Sequence, residues 1–138
     1  MDPIPITVTE RRGRLHASSG APWEPVVGYS RGVRAGRAVA VTGTVGRRSD
    51  GRYPPTAEAQ TRRALEIIRA TLEALGARLE DVVRTRIFVT DIGQWEAIGR
   101  VHGEVFGHVL PCTTMVEVSR LIDPEALVEI EADALVEE

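Results

Sequence analysis

Lysine is absent from the 138-residue chain, and all 17 basic residues are arginine. That absence excludes a lysine Schiff base and a phosphate-loop lysine. Cysteine is nearly absent as well. Cys112 stands alone, so no internal disulfide can form, and a reducing, cytoplasmic setting is expected. No apolar run approaches the length of a membrane span, and the N-terminus shows no apolar leader segment. A soluble protein without membrane contact is the expectation. The net charge of −3 leaves no electrostatic footprint for nucleic acid. His16, His102 and His108 fall at no ligand spacing, and no Cys-x-x-Cys occurs, so neither a metal site nor a cofactor is expected. The one glycine in a candidate strand core, Gly43, sits in Thr-Gly-Thr, which is not a phosphate loop.

What is present is patterned. The length fits one domain. Residues 1–25 read as a loop with one short edge strand around Ile6 and Val8, and residues 26–138 as the folded domain. Near the C-terminus two segments alternate with the period of a half-buried strand. In the first, Thr114, Val116 and Val118 share one side, with Thr113, Met115 and Glu117 opposite. In the second, Val128, Ile130, Ala132 and Ala134 share one side, with Glu129, Glu131 and Asp133 opposite. Asp123-Pro124 lies between them, and the pair reads as a β-hairpin with a longer loop. Three carboxylates on one face repel unless that face is wet, paired with arginine or functional.

The run Ala38-Val39-Ala40-Val41 is apolar on both sides and reads as a central strand. Thr56 is placed to cap a helix whose apolar face holds Leu65, Ile68, Leu72 and Leu75, with Gly76 ending it. Arg62–Glu66 and Arg69–Glu73 are spaced as pairs on its outer face. The strand Asp81–Thr90 puts Arg84 and Arg86 on one side, where Glu117, Glu129 and Glu131 are candidate partners. Asp91 and Gln94 read as a capping box for a second helix with Trp95, Ile98, His102, Val105 and Phe106 on its inner face. Together these elements predict an α+β protein, a mixed sheet with both helices on one face.

The C-terminal pattern, Val116-Glu117-Val118 with Leu121 and then Val128-Glu129-Ile130-Glu131-Ala132, resembles the signature of the Rid (YjgF-type) family. Gly28-Tyr29-Ser30, Val41-Thr42-Gly43-Thr44, Ala59-Gln60 and Phe88-Val89-Thr90-Asp91 follow in that family's order and spacing, over about residues 25 to 136. The resemblance implies a chorismate-mutase-like fold, a homotrimer with a central barrel, small-molecule clefts between subunits, and imine or enamine deaminase chemistry. It implies that Glu129 positions or activates water. It also implies that Tyr29 and the Gly43 backbone line the substrate site, where Thr113 and Thr114 are candidates to hydrogen-bond a neutral or hydroxylated ligand. Deaminating members carry an arginine, which grips the substrate carboxylate, where this chain has Thr113. A threonine hydroxyl cannot replace a bidentate guanidinium, so the chain reads as a divergent member with altered specificity. Arg31 and Arg120 are candidate substitutes for the lost charge.

Two readings follow. One is a deaminase-like hydrolase on a small reactive metabolite, with Glu129 as the proton-handling group. The other is a non-catalytic trimeric binder of a small molecule. Read from the residues alone, Tyr29 is equally a buried tyrosine with a satisfied hydroxyl, and Gly43 equally a packing bulge. Trp23 reads as a plug over the core edge or an interface residue, with a ligand-facing wall as the alternative. His102 reads as a core or interface histidine, Cys112 as a small structural residue, and Glu117 with Arg120 as an ion pair.

Overall fold

The computed structural model of the protein describes residues 2–137. A seven-stranded sheet is backed by two helices. In chain order the elements are β1 (Thr7–Arg11), β2 (Arg14–Ser18), β3 (Gly32–Ala35), β4 (Ala38–Val45), α1 (Ala57–Ala74), β5 (Val82–Val89), α2 (Trp95–Phe106), β6 (Cys112–Glu117) and β7 (Val128–Leu135). The strands lie side by side as β1-β2-β3-β4-β7-β5-β6. Every pairing is antiparallel except β5 with β6.

This order follows from the two helical connections. The α1 crossover carries the chain from β4 past one vacant position to β5, and the α2 crossover carries it on to β6. Both steps run in the same direction across the sheet. Right-handed crossovers in one direction place both helices on one face. The position left between β4 and β5 is filled last, by β7. Alternation along β7 then sorts its side chains: Val128, Ile130, Ala132 and Ala134 are buried toward the helices, while Glu129, Glu131 and Asp133 stand half-buried on the open face. The core between sheet and helices contains Val39, Val41, Leu65, Ile68, Leu72, Ile87, Ile98 and Phe106. Val101 is buried with them, whereas Trp95 is 55% exposed and does not join that face.

Three expectations are corrected here. The C-terminal strands do not form a hairpin, because β5 lies between β6 and β7. Alternation specifies a strand but not its neighbour, and the α2 crossover makes β6 pair in parallel with β5. The N-terminal segment is not one strand and a loop. Arg12 and Gly13 both adopt positive φ, at 54° and 75°, and close a two-residue turn that pairs β1 with β2. Strand β2 in turn pairs with β3, so His16 lies on a strand of the main sheet. Finally, Asp91 accepts from the Gly93 amide at 2.9 Å and caps a single helical turn ahead of α2; Gln94 makes no reciprocal cap.

The charged surface also sorts itself. Arg69 pairs with Glu73 at 3.2 Å, but Arg62 reaches across to Glu104 on α2 at 3.0 Å instead of to Glu66. Arg86 bridges Glu131 and Asp133 at 3.1 and 3.3 Å, which neutralises the lower part of the acidic row. Glu117 accepts from the Ile92 amide at 3.0 Å and makes no ion pair with Arg120 among the described residues. Cys112 is exposed on the edge strand β6 rather than packed.

Candidate active site

The site begins with a one-residue irregularity. Val41 pairs with Ala132 and Thr44 with Ile130, so the Thr42-Gly43 segment carries an extra residue opposite β7. The bulge turns the Gly43 backbone toward the side chain of Glu129, whose own strand partner is Val45. A Cβ built on Gly43 would collide with Oε2 of Glu129. Glycine lets the carboxylate sit this close to the strand backbone, and backbone strain is not the reason, since Gly43 does not have a positive φ. Any larger residue would push the carboxylate off the strand backbone.

Arg31 lies on the other side of the bulge. Its Nη1 donates to the Gly43 carbonyl and to Thr44 Oγ1, both at 3.1 Å. Its Nη2 reaches the Tyr29 hydroxyl oxygen at 3.5 Å, and the guanidinium carbon stands 5.7 Å from the centre of the Tyr29 ring. Arg31 is only 5% exposed. Glu129, Gly43, Arg31 and Tyr29 thus form one contiguous group at the junction of β3, β4 and β7.

Electrostatics separates the members of this group. Burial raises the carboxyl of Glu129 above its ordinary value of 4.5; the Arg31 charge works against that shift and the neighbouring Glu131 adds to it. Burial likewise raises the Tyr29 phenol above 10.0, so its hydroxyl stays neutral and able to donate. A carboxyl whose affinity for protons is raised toward neutrality can take and return a proton.

Other residues hold the group in place. Gln60, 2% exposed on α1, donates from Nε2 to the carbonyls of Pro54 and Glu125, both at 3.0 Å, and accepts from the Leu127 amide at 2.8 Å. It thereby fixes the chain as it enters β7, two residues before Glu129. Glu24 is buried and receives Ser18 Oγ, the Ser19 amide, Ser19 Oγ and the Ala21 amide at 2.7 to 3.2 Å. Burial disfavours its charge, but these donors outweigh burial and lower its pKa. Glu24 ties down the segment that delivers Tyr29. Tyr29, with His16, Ser18 and Glu24, also lines an open groove of about 790 Å³. Glu24 carries no recognisable signal in the sequence, and Gln60 stands there only as part of the Ala59-Gln60 segment of the resemblance, because the role of a buried polar side chain is identified by its partners.

Two of the expected site residues lie elsewhere. Thr113 is on the helix side of β6, two strands from β7, and its hydroxyl meets Thr85 Oγ1 at 2.6 Å; Thr85 Oγ1 in turn meets His102 Nε2 at 2.9 Å. His102 is 9% exposed, packs against Phe106 with ring centres 4.7 Å apart, and is held by burial below its ordinary pKa of 6.5. Thr114 is on the open face, level with Arg86 and therefore one row along from Glu129. Within one chain, Thr113 and Glu129 do not face the same cleft. Trp23 lines a separate chamber beside Arg31, with the Arg47 guanidinium 5.8 Å from its ring. Among the described residues no group of three potential metal ligands converges, and no helix is long and apolar enough to cross a membrane.

The fold, two helices on one face of a mixed sheet, is shared with known proteins. The family model described as Endoribonuclease L-PSP matches residues 19–136. A crystal structure of Rv2704 from Mycobacterium tuberculosis, described as a member of the YjgF/YER057c/UK114 family, superposes with a TM-score of 0.84 at 52% identity, covering 89% of this chain and 99% of that one. SCO2049, an uncharacterized protein of Streptomyces coelicolor, is 36% identical over 84% of this chain and 87% of its own length. TdcF of E. coli, solved with bound serine, superposes with a TM-score of 0.74 at 28% identity, covering 79% and 88%. The chain belongs to the Endoribonuclease L-PSP family, the YjgF/Rid group of proteins.

Proposed function

We propose that the protein is a hydrolase of the imine deaminase type, acting on a small reactive metabolite in a cleft completed by a neighbouring subunit of a homotrimer in the cytoplasm. The observation that carries this reading is the Glu129 carboxyl, half-buried, raised in pKa and seated against the Gly43 backbone beside Arg31 and Tyr29. In the proposed reaction the imine carbon is attacked by water. Glu129 accepts a proton from that water as the C–O bond forms. It returns that proton to the nitrogen, giving a carbinolamine; it then takes the carbinolamine hydroxyl proton and passes it to the nitrogen as the C–N bond breaks, and a carbonyl compound and ammonia leave. In this reading Tyr29, whose hydroxyl stays neutral, donates to the ligand, and the Gly43 backbone bounds it. Thr113 and Thr114 lie toward the exposed edge of the sheet, where a second copy would bring them to its neighbour's Glu129. The bound serine of TdcF supports a ligand of amino-acid size.

The family description as an endoribonuclease fits this chain less well. Cleaving RNA by transphosphorylation needs an acid and a base flanking one phosphate, and the buried His102 lies on the helix face, across the sheet from Glu129. The net charge of −3 supplies no backbone attraction for RNA.

One observation favours the second reading, a non-catalytic binder of the same fold. The Thr113 hydroxyl is already engaged by Thr85 and supplies no charge for an anionic substrate. The two readings part in a coupled assay, in which an amino-acid oxidase generates imines from a panel of amino acids and ammonia release is followed. Acceleration by the wild-type protein is expected. No acceleration in the wild type with acceleration in Thr113→Arg would mean an intact water-handling site with changed specificity. No acceleration in either would leave the binder.

A further inference from the structure

A chamber of about 210 Å³ lies between the N-terminal residues 3–5, the loop 19–23 and the end of β4. Four arginines line it, Arg31, Arg47, Arg48 and Arg63, and no aspartate or glutamate does. The rest of its wall is largely apolar, including Trp23, Ile4 and Ile67.

The four arginines are not equivalent. Arg63 is spent: it pairs with Asp2 at 2.7 Å and donates to the carbonyls of Asp2, Pro3 and Arg47. It serves to strap the N-terminal residues over the chamber. Arg31, Arg47 and Arg48 make no ion pair among the described residues. Arg31 is 5% exposed, and its Nε is a buried donor without a partner. The Glu129 carboxylate is near enough to feel the Arg31 charge but forms no direct ion pair with it, and a buried guanidinium gains from a directly bound anion because losing hydration is costly. Arg47 adds a second cation at the Trp23 face of the same wall.

We propose that this chamber binds a small organic monocarboxylate carrying an apolar group, with the carboxylate toward Arg31 and Arg47 and the apolar part against Trp23, Ile4 and Ile67. A cavity of about 150 Å³ already holds a benzene ring, so the volume suits an aromatic or branched-chain acid. The mixed wall favours such an acid over inorganic phosphate, which would leave the indole and the aliphatic side chains without a partner. This site is separate from the Glu129 carboxyl, which does not line it.

Binding is measured by calorimetry and thermal shift at constant ionic strength, with benzoate as probe, benzamide as its neutral counterpart, and inorganic phosphate as the competing anion. Saturable benzoate binding is expected, with benzamide about tenfold weaker or worse. Arg31→Gln is expected to weaken benzoate about thirtyfold or more, as loss of a buried charge partner does. Arg47→Gln and Trp23→Ala are expected to weaken it several-fold. Benzoate binding is read with no imine substrate present, so the outcome does not depend on turnover. If Arg31→Gln fails to fold, Arg47→Gln and the benzamide comparison decide. The proposal is overturned by no saturable benzoate binding, by equal affinity for benzamide, by tighter binding of phosphate, or by benzoate binding that Arg47→Gln leaves unchanged.

Discussion

At the scale of single residues, the account rests on Glu129 and on what surrounds its carboxyl. Its raised pKa has a consequence for stability. In the folded protein the group holds its proton above 4.5, where the unfolded chain has released it. The favourable contribution is therefore complete below 4.5 and is lost as pH rises through the folded value. Glu129→Gln removes that loss. Its melting temperature should exceed the wild type at about pH 7, and the gap should shrink by about pH 4; a constant gap across a melting series would show that Glu129 is not perturbed. Gly43→Ala tests the close approach itself. The added methyl must displace the Glu129 carboxyl, so turnover should fall by at least tenfold while circular dichroism stays native, on the rule that a misplacement of about 1 Å costs on the order of a hundredfold. Of these residues, Glu129, Gly43 and Tyr29 were legible from resemblance. Gly43 does lie at a bulge, and the Glu129 carboxylate rests against it; that the same backbone also bounds a ligand is part of the proposed function. Arg31 was legible only as a spare arginine, because burial, and hence an unpaired charge, is a property of the fold and not of the sequence.

At the scale of elements, period and caps identified most strands and both helices, but not every neighbour. Alternation in 112–117 and 128–135 gave the faces of β6 and β7 correctly and their pairing wrongly, since the strand between them arrives from elsewhere in the chain. The β1–β2 hairpin was hidden because its turn is Arg12-Gly13 rather than the Asn-Gly or Asp-Gly that announces such turns. The two arginines on β5 prompted a search for acidic partners, and Arg86 does meet Glu131, while Asp133, its second partner, was not foreseen. Gln60 is the clearest case of an element held by a side chain whose structural role the sequence did not show, although Ala59-Gln60 belongs to the resemblance. Gln60→Leu keeps the volume and orphans the Pro54 and Glu125 carbonyls and the Leu127 amide. The buried Pro54 carbonyl costs about 1–3 kcal/mol when orphaned, and the part-buried Glu125 carbonyl and Leu127 amide, which water can reach, cost less, so chemical denaturation should show a loss of roughly 2–4 kcal/mol. A loss below about 0.5 kcal/mol, the usual range of surface changes, would mean that β7 enters the sheet without Gln60.

At the scale of the whole molecule, the sheet has one face closed by helices and one left open, with Glu129 on the open face and Thr113 on the far edge of the other. The open face presents the Glu129 carboxylate without helices over it, and in the proposed function a second copy completes the cleft around the ligand. The central claim is that Glu129 handles the proton in imine hydrolysis within such an assembly. Its most direct test compares wild type and Glu129→Gln for ammonia release from oxidase-generated imines, with the mass of each assembly checked by light scattering. The account predicts two trimers of equal mass and a rate in the variant lower by about 10²–10⁴-fold, the usual contribution of a general acid–base group. A trimeric Glu129→Gln protein that turns over imines at the wild-type rate would contradict it.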